Sequence, residues 1–543
     1  MFGKYRIGSL PALLYFFSAV APAPAAPSRG EVIFLEKCAM CHLPAGQGAP
    51  PAYPPLAGSD WLKGDRTRTI RVLCEGLEGP IKVNGKEYNN VMPAQMLEDA
   101  DAAEVLTYVT QSWGNQAEPF TAAEVAKARA GSKFPTFAAL AKAAAFEPLP
   151  SPPTGWTLKE TAPLPGFCTR LAGSGKGGPV YLMGERGIVY KLTENAVVPW
   201  IQPESYADTS ESSVSTMGLA LGPENRLWIV GNQRIAKGYE VDMNRVTVWR
   251  SEPVTGDDPP VLKAWLKTEY PWGVGPYNHG VSHIAFGPDG MLYINSGSRT
   301  DGGETGTIDR IAKTGEAPIT AGLWRLDPKA EKPEIEVIAH GIRNAYGFAW
   351  NDRGQLFTAS NGPDANAPEE MDFIETGKHY GFPYQFSDWP LQPAPYPHTP
   401  AAPAGLTFTF PVQNDGPAGG GGIAGGLGTF DPHSSPAGMV WCGADYAEPL
   451  RNGFILTRFG NLLPTPADSG FDVLHVAPWQ DPKTGRWRAK VTTVLAPFGR
   501  PLDVLPDGHG GLYVLEYTRP TNFKSGVGWL PGRLLQLSPA APK

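Results

Sequence analysis

The amino-acid sequence predicts a mainly β fold, a six-bladed β-propeller that follows a small all-α domain at the N-terminus. Three observations lead to this prediction. The 543 residues include 64 glycines and 57 prolines, which is typical of a chain rich in turns. A turn followed by a short apolar strand recurs six times in the second part of the chain. The first part instead shows the apolar spacing of helices.

The recurring unit is a turn containing Gly or Asn and then an apolar strand. The units lie roughly 45 to 100 residues apart, a spacing that indicates propeller blades. A β-sandwich of similar strand content is the alternative, but it would not need six similar units. We therefore assign residues 156–543 to the propeller, on the strength of apolar segments at 179–182, 226–229, 291–294, 355–358, 453–456 and 511–514.

The N-terminus has the features of a secretory signal. Lys4 and Arg6 precede an apolar segment from Leu10 to Val20, and small residues follow as far as Ala26. A membrane anchor is the alternative, but the apolar segment is short and contains Pro11. We expect residues 1–26 to be a signal peptide and the mature protein to be periplasmic or secreted, with no stable membrane insertion. The net charge of −7 and the lack of a long basic run argue against a nucleic-acid partner.

A CxxCH motif stands near the start of the predicted all-α domain. The thiols of Cys38 and Cys41 can add to the vinyl groups of a haem, and His42 can supply an axial nitrogen to its iron. A redox CxxC or half of a zinc site is the alternative. Zinc is disfavoured because the chain has no second CxxC. The motif predicts one covalent haem c.

The sixth iron ligand is expected to be a soft sulfur or a second imidazole. Met92, Met96 and Met40 are candidates, but Met40 lies inside the motif and cannot reach the far face of the haem. Met92 is followed by Pro93, which stiffens the loop that presents it.

Four segments of this region resemble class I cytochrome c, in the order that the family has them: 54–61, 76–85, 92–94 and 103–109. The likeness is to the small electron-transfer domains that are fused to larger oxidoreductases. By that resemblance Met92 is the axial ligand, and a terminal helix from Asp99 to Ser112 packs over the haem edge. We expect this domain to span residues 28–116, with a linker of short helices and a Pro-rich spacer at 117–155.

Three cysteines lie outside the haem motif, namely Cys74, Cys168 and Cys442. A Cys168–Cys442 bridge is one option in an oxidising compartment. The alternative is that these cysteines are small buried hydrophobic residues.

In the propeller, histidine and arginine stand at matched blade positions. His279 and His283 lie at the start of a β-hairpin in the third blade, and Arg343, Arg458 and Arg500 lie at comparable strand ends of later blades. A lone His is more often structural, and an Arg at a strand end is ordinarily a solvated charge. A ring of such residues suits an anionic cofactor and a hydroxyl substrate.

The segments 278–297, 341–350 and 362–382 resemble the soluble pyrroloquinoline quinone (PQQ) glucose dehydrogenases, the glucose/sorbosone dehydrogenase family. The resemblance implies that His279 is the general base. It also implies that Arg343 with Asn344 hydrogen-bonds the quinone oxygens.

The same resemblance implies three further cofactor contacts. The backbone carbonyls of Gly362 and Pro363 match the ligands of a calcium ion that polarises PQQ. Arg458, which stands where the family has a Lys, and Arg500 would face PQQ carboxylates. His283 is expected to have a structural or substrate-orienting role.

The sequence departs from the family where an aspartate often supports the catalytic histidine. Ser298 follows Gly297 at that point, and Asp301 is a nearby substitute. Asn278 stands where an acidic residue sometimes precedes the histidine. Loss of a carboxylate would lower the basicity of His279.

The function expected from these features is that of an exported quinohaemoprotein dehydrogenase. Its substrate would be a sugar or another alcohol or aldehyde, oxidised with PQQ. Electrons would pass through the haem to an external acceptor such as a cytochrome, an azurin-like protein or an oxidase. The alternative is a non-catalytic propeller that binds carbohydrate or protein and is fused to an electron carrier.

Overall fold

The computed structural model describes residues 28–540 apart from several internal segments, and the predicted signal peptide lies outside the described residues. The segments left out are 44, 49–52, 78, 91, 93, 96, 131–143, 195, 211, 236–241, 274–277, 304–314, 364–366, 388, 391–400, 421–427, 462–468 and 520–529.

The first part of the described chain is helical. Ser28 caps the first helix by accepting a hydrogen bond from the backbone of Glu31, and Asp65 caps the third in the same way. The first and fourth helices pack together around Phe34 and Val105, which are buried. The helices are α1 (Arg29–Lys37), α2 (Ala39–His42), α3 (Arg66–Glu75), α4 (Asp99–Gln111) and α5 (Ala122–Ala130), with a small hairpin of β1 (Ile81–Val83) and β2 (Lys86–Tyr88).

The rest of the described chain is almost entirely β structure. Its strands are β3 (Trp156–Pro163), β4 (Cys168–Ala172), β5 (Tyr181–Gly184), β6 (Val189–Leu192), β7 (Val197–Ile201), β8 (Ser215–Gly222), β9 (Arg226–Ile235), β10 (Met243–Pro253), β11 (Leu262–Pro271), β12 (Val281–Phe286), β13 (Leu292–Ser296), β14 (Gly322–Leu326), β15 (Glu336–His340), β16 (Ala345–Trp350), β17 (Leu356–Ser360), β18 (Glu370–Phe373), β19 (Lys378–His379), β20 (Gln385–Phe386), β21 (Trp389–Pro390), β22 (Gln413–Pro417), β23 (Pro436–Cys442), β24 (Gly453–Arg458), β25 (Asp472–Gln480), β26 (Trp487–Leu495), β27 (Pro501–Pro506), β28 (Leu512–Glu516) and β29 (Arg533–Pro539).

These strands form six blades around a ring. Blades one to three are β4–β7, β8–β11 and β12–β15, and blade four is β16–β18. Blade five is β23–β26, and blade six is β27–β29. The first strands of neighbouring blades contact one another in order, and β27 returns to β4. The prediction of a six-bladed propeller is confirmed, and each apolar segment noted in the sequence is or overlaps the second strand of a blade.

The ring is closed by strand pairing between distant parts of the chain. Strand β3 pairs with β29 in an antiparallel register that runs from Trp156 opposite Pro539 to Pro163 opposite Arg533. Blade six therefore contains strands from both ends of the propeller sequence, and their pairing closes the ring. This pairing was not predicted from the sequence.

One face of the propeller collects most of the site residues predicted from the sequence. In each blade the first strand leaves this face and the second strand returns to it, so the start of one lies opposite the end of the other. We call this surface the site face. The pairs that mark it are Cys168 opposite Gly184, Val281 opposite Ser296, Ala345 opposite Ser360, Pro436 opposite Arg458 and Pro501 opposite Glu516.

The cysteines outside the haem motif are buried free thiols. Cys442 packs in the core between blades five and six, and Cys168 packs in the core between blades six and one. The two therefore do not form the bridge considered above, because each is enclosed in a different core. Their role is that of small hydrophobic residues. Within the described part of the chain, no helix has both the length and the apolar character needed to cross a membrane.

Candidate functional site

The helical domain contains an apolar cavity that is partly open to solvent. Its lining includes Cys38, His42 and Met92 together with apolar side chains such as Leu73 and Val105. Sequence reasoning expected these three polar or sulfur-bearing residues to share one site, and the structure brings them together.

His42 is held in one tautomer. Its Nδ1 lies 2.9 Å from the backbone carbonyl oxygen of Pro54. A carbonyl only accepts, so Nδ1 carries the hydrogen and Nε2 keeps its lone pair. Burial lowers the pKa of His42, which keeps the ring neutral as an iron ligand must be.

Met92 is fixed by backbone pairing. Its N–H donates to the carbonyl of Leu77 at 2.9 Å, and its own carbonyl accepts from the Leu77 N–H at 2.8 Å. This pairing holds Met92 against the residues that follow α3. Pro93, which we expected to stiffen the segment, lies outside the described residues.

In the propeller, His279 is oriented by Ser298. The Nδ1 atom of His279 lies 3.1 Å from the carbonyl oxygen of Ser298 and 3.1 Å from its hydroxyl oxygen. Because the carbonyl can only accept, Nδ1 carries the hydrogen. The lone pair of His279 is therefore on Nε2, the nitrogen that a general base would use.

Ser298 is itself fixed from two sides. Its N–H donates to the carbonyl of Arg343 at 2.7 Å, and its hydroxyl donates to the carbonyl of Thr300 at 2.7 Å. The guanidinium of Arg343 donates to the Asp301 carboxylate at 2.5 Å and to the Asp301 carbonyl at 2.8 Å. The sequence suggested Asp301 as a substitute partner of His279. The structure places Asp301 against Arg343 and gives the partner position to Ser298.

The surroundings of His279 make it a weak base. Burial is the main cause and the positive charge of Arg343 adds to it, and together they lower the pKa of His279 to about 3. The Ser298 carbonyl opposes this effect but does not overcome it. His279 is therefore neutral throughout the physiological pH range and keeps the lone pair on Nε2.

His283 has a structural environment. Its ring lies against the ring of Phe348 with a centroid distance of 4.3 Å, and its Nδ1 accepts the Phe348 N–H at 3.3 Å. Its own N–H donates to the side chain of Asn295 at 2.6 Å. Burial and the charge of Arg170 keep the pKa of His283 well below its ordinary value. The two contacts with Phe348 hold blade three against blade four.

Arg458 does not have the environment that the resemblance implied. The register of β24 and β25 sets it opposite Asp472, whose two carboxylate oxygens accept from Arg458 at 2.9 and 2.7 Å. Asp431 accepts a further hydrogen bond at 3.0 Å. Because two carboxylates already compensate this guanidinium, the expectation that it faces a cofactor carboxylate is not supported. Its contacts are those of a buried ion pair within blade five.

Arg500 instead sits between backbone oxygens and aromatic rings. It donates to the carbonyls of Gly460 at 3.3 Å and Asn461 at 2.9 Å. Its guanidinium lies 4.9 Å from the ring centroid of Phe459 and 5.0 Å from that of Phe471. This is the environment of a buried cation held by dipoles and π-faces, between blades five and six.

The predicted calcium loop lies beside a buried carboxylate that sequence reasoning missed. The N–H of Gly362 donates to Glu369 at 2.6 Å, and the Ser435 N–H donates to the other carboxylate oxygen at 3.4 Å. Burial raises the pKa of Glu369 to about 7. Pro363 is buried next to this loop. The Glu369-Glu370 pair that follows the predicted calcium segment was the signal that could have identified Glu369.

Three of the buried polar atoms without a hydrogen-bond partner among the described residues lie on the site face next to residues named above. They are the amide oxygens of Asn278 and Asn361 and the hydroxyl of Ser434. These residues come from blades three, four and five, next to His279, Gly362 and the start of β23. Sequence reasoning assigned no role to the Asn361 and Ser434 side chains, because an isolated Asn or Ser carries no distinctive signal.

The helical domain is similar to known electron-transfer proteins. A model of the family described as Cytochrome c matches residues 27–113. Over 104 residues the chain is 44% identical to cytochrome c-552 of Thermus thermophilus, a match that covers 17% of this chain and 79% of that protein. Through this domain the chain belongs to the cytochrome c family. A cytochrome c subunit of a quinone alcohol dehydrogenase from Gluconacetobacter polyoxogenes is 31% identical over 108 residues, which are 18% of this chain and 22% of that protein.

The propeller has its own match. A family model described as Glucose / Sorbosone dehydrogenase covers residues 267–394, which include His279, Arg343 and Gly362. Among solved structures, the soluble aldose sugar dehydrogenase of Escherichia coli in its apo form is 16% identical, with a TM-score of 0.48 over 71% of this chain and 99% of that chain. The PQQ-bound aldose sugar dehydrogenase of Streptomyces coelicolor is 18% identical, with a TM-score of 0.44 over 72% and 99%. The two family matches confirm both resemblances drawn from the sequence.

The cytochrome c domain has the residues that haem c requires. Cys38 and Cys41 would form the thioether bonds, and His42 Nε2 and Met92 would ligate the iron. The tautomer of His42 and the apolar lining of the cavity both suit this assignment. A Met ligand raises the potential of haem iron, which suits a domain that accepts electrons.

The residues of the propeller site also suit the cofactors of the matched family. The carbonyls of Gly362 and Pro363 and the neighbouring Glu369 are oxygen donors, which calcium prefers. The orphaned amide oxygens of Asn278 and Asn361 suit a polar ligand that brings hydroxyl groups. Asn344, which the resemblance placed at the quinone oxygens, is held in the site by its backbone. Its carbonyl oxygen accepts the Asn361 N–H at 3.0 Å.

Proposed function

We propose that this protein is a quinohaemoprotein dehydrogenase that oxidises a sugar, or another alcohol or aldehyde, with PQQ and passes the electrons through haem c to an external acceptor. The observation that carries the proposal is the orientation of His279. Ser298 fixes its tautomer so that Nε2 keeps a lone pair, and the positive charge of Arg343 acts on the same ring, on a chain that also carries a cytochrome c domain.

The propeller residues would divide the chemistry as follows. His279 takes the proton of the substrate hydroxyl at Nε2, and Arg343 stabilises negative charge that develops next to it. The carbonyls of Gly362 and Pro363 would hold calcium, and Arg500 would supply positive charge for an anionic cofactor. PQQ, when bound, supplies a two-electron acceptor that can release its electrons singly.

We further propose that the protein is exported and that its electron acceptor is external. A covalent haem c and an N-terminal segment of signal-peptide character are consistent with a periplasmic or secreted protein. The acceptor would be a small redox protein, such as a cytochrome or an azurin-like protein, or an oxidase.

One observation favours the second candidate, a propeller that binds carbohydrate or protein without catalysis. His279 lacks a carboxylate partner among its described hydrogen bonds, and its pKa lies at about 3, which is low for a general base.

Reconstitution decides between the two functions. The purified holo-cytochrome is incubated with PQQ and calcium, and haem reduction is followed by absorbance while aldoses, alcohols and aldehydes are offered. Substrate-dependent haem reduction is the expected result. No PQQ binding and no reduction with any of these substrates would refute the dehydrogenase.

Two histidine variants sharpen the test. His279→Gln should retain PQQ binding but lose at least about 100-fold in turnover, the usual contribution of a general base. His340→Gln is the matched control, because His340 is exposed at the end of β15. Full turnover by His279→Gln would remove His279 from the mechanism while leaving the fold intact.

A further inference from the structure

A group of aromatic and acidic residues on the site face has no role in the chemistry proposed above. Phe167 and Glu185 belong to blade one, Phe459 follows blade five's second strand, and Tyr517 follows that of blade six. All four stand at the strand ends that define the site face. They lie between the Arg500 side of the propeller site and the cytochrome c domain.

The aromatic members form a continuous path that starts at Arg500. The guanidinium of Arg500 lies 4.9 Å from the ring centroid of Phe459. The Phe459 and Tyr517 rings are 5.6 Å apart, and the Tyr517 and Phe167 rings are 4.9 Å apart. The N–H of Tyr517 also donates to the carbonyl of Arg500 at 2.8 Å. Tyr517 is therefore joined to the propeller site both through its backbone and through its ring.

The path continues into the cytochrome c domain. The Tyr517 hydroxyl donates a hydrogen bond to one carboxylate oxygen of Glu185. The other oxygen of Glu185 lies 3.9 Å from the ammonium nitrogen of Lys37. Lys37 ends α1 and directly precedes Cys38, one of the two haem-bearing cysteines. A chain of contacts thus connects Arg500 to the haem attachment site.

The connection between the domains is well suited to reversible docking. The side chains of Lys37 and Glu185 are about one third exposed, 33% and 34%, so their attraction is screened by solvent and weak. The far end of the linker is fixed to blade six, where Arg519 donates to the carbonyl of Ala144 at 2.8 Å. Tethering keeps the local concentration of the cytochrome c domain high, so a weak contact is enough.

We propose that Phe459, Tyr517 and Glu185 form the electron path from the propeller to haem c, and that the Lys37–Glu185 ion pair docks the cytochrome c domain at its end. The inference rests on the proposed dehydrogenase function. Each transfer moves one electron from the reduced quinone to ferric haem iron, which becomes ferrous. Two transfers reoxidise the quinol and release its two protons to solvent, with an external acceptor reoxidising the haem in between. No covalent bond of the protein changes.

Charge reversal tests the docking contact without any propeller cofactor. A zero-length carbodiimide should cross-link Lys37 to Glu185 in the wild-type chain, as detected by mass spectrometry of the peptides. Lys37→Glu should lose this cross-link, and the exchanged pair Lys37→Glu with Glu185→Lys should restore it. Lys127→Glu, an exposed reversal on α5, is the matched control and should leave it unchanged.

Kinetics of the PQQ- and calcium-loaded protein tests the path itself. Lys37→Glu should slow substrate-dependent haem reduction about tenfold, which corresponds to about 1.4 kcal/mol of docking free energy. The exchanged pair should recover part of the wild-type rate, because it restores the ion pair but replaces the Glu185 carboxylate that accepts from Tyr517. Reduction of a small dye that takes electrons directly from the propeller should stay unchanged in Lys37→Glu. Tyr517→Leu should slow haem reduction further than Tyr517→Phe, which retains the ring.

The outcomes separate this inference from the proposed function. A wild-type protein that reduces neither dye nor haem contradicts the dehydrogenase, whereas the cross-link still decides whether the domains dock as described. If the wild type, Lys37→Glu and Tyr517→Leu all reduce the dye and also reduce the haem at the same rate, the proposed electron path is wrong. Loss of the cross-link in Lys37→Glu without recovery in the exchanged pair overturns the ion pair as the docking contact.

Discussion

Replacing Ser298 with aspartate would test how the partner of His279 sets its basicity. The serine hydroxyl oxygen lies 3.1 Å from Nδ1 of His279, so a carboxylate at this position would face the ring directly. An opposite charge at such a distance raises the pKa of a histidine by about one to three. The pKa of His279 should therefore rise from about 3 to between about 4 and 6. This corresponds to about 1.4 to 4 kcal/mol in favour of the protonated ring.

The change has a consequence for stability with a definite sign. In the wild type, the folded pKa of about 3 lies below the ordinary value of 6.5 that the unfolded chain has. Between these pH values the unfolded chain binds more protons, so the free energy of unfolding falls as the pH drops from 6.5 toward 3. In Ser298→Asp the interval between the two pKa values narrows. The contribution of His279 to acid destabilisation should shrink accordingly.

The assay is a pH titration of the His279 ring by NMR, assigned by comparison with His279→Gln. Denaturant unfolding at pH 4.5 and pH 7 reports the stability effect. Ser298→Asn is the control, because it has a similar shape and no charge. A His279 pKa that is the same in Ser298→Asp and Ser298→Asn would refute the account of its electrostatic environment.

Three further predictions address the haem and the core. Met92→Ala should keep covalent haem but lower its reduction potential, measured by redox titration, because a sulfur ligand raises the potential. Asp472→Asn should lower the free energy of unfolding by about 3 kcal/mol, measured in urea, because it leaves much of the buried Arg458 charge uncompensated. Asp257→Asn, at an exposed ion pair, is the control and should change it far less, because solvent screens that pair. A reductant should leave the melting temperature unchanged, since Cys168 and Cys442 are free thiols, and a drop would contradict this.

Much of the site could be predicted because its signals are local. Cys38, Cys41 and His42 lie within one stretch of five residues, and the hairpin that presents His279 is closed by a tight turn at Gly290, whose φ is +77°. The surroundings of Arg458 could not be predicted, for a reason that the sequence does not display. Its partner Asp472 is 14 residues away and is brought opposite only by the register of β24 and β25.

The sequence by itself determined the six blades, the cytochrome c domain with its CxxCH motif, and the strand ends at which His279 and Arg343 lie. The turns, the short apolar strands and the CxxCH spacing are patterns of neighbouring residues, so no tertiary contact is needed to recognise them. Only the tertiary structure decided which partners those residues meet. Tyr517 and Glu185 are 332 positions apart, and β3 and β29 come from opposite ends of the propeller. Such pairings arise when the ring closes, because closure brings the first and last blades side by side.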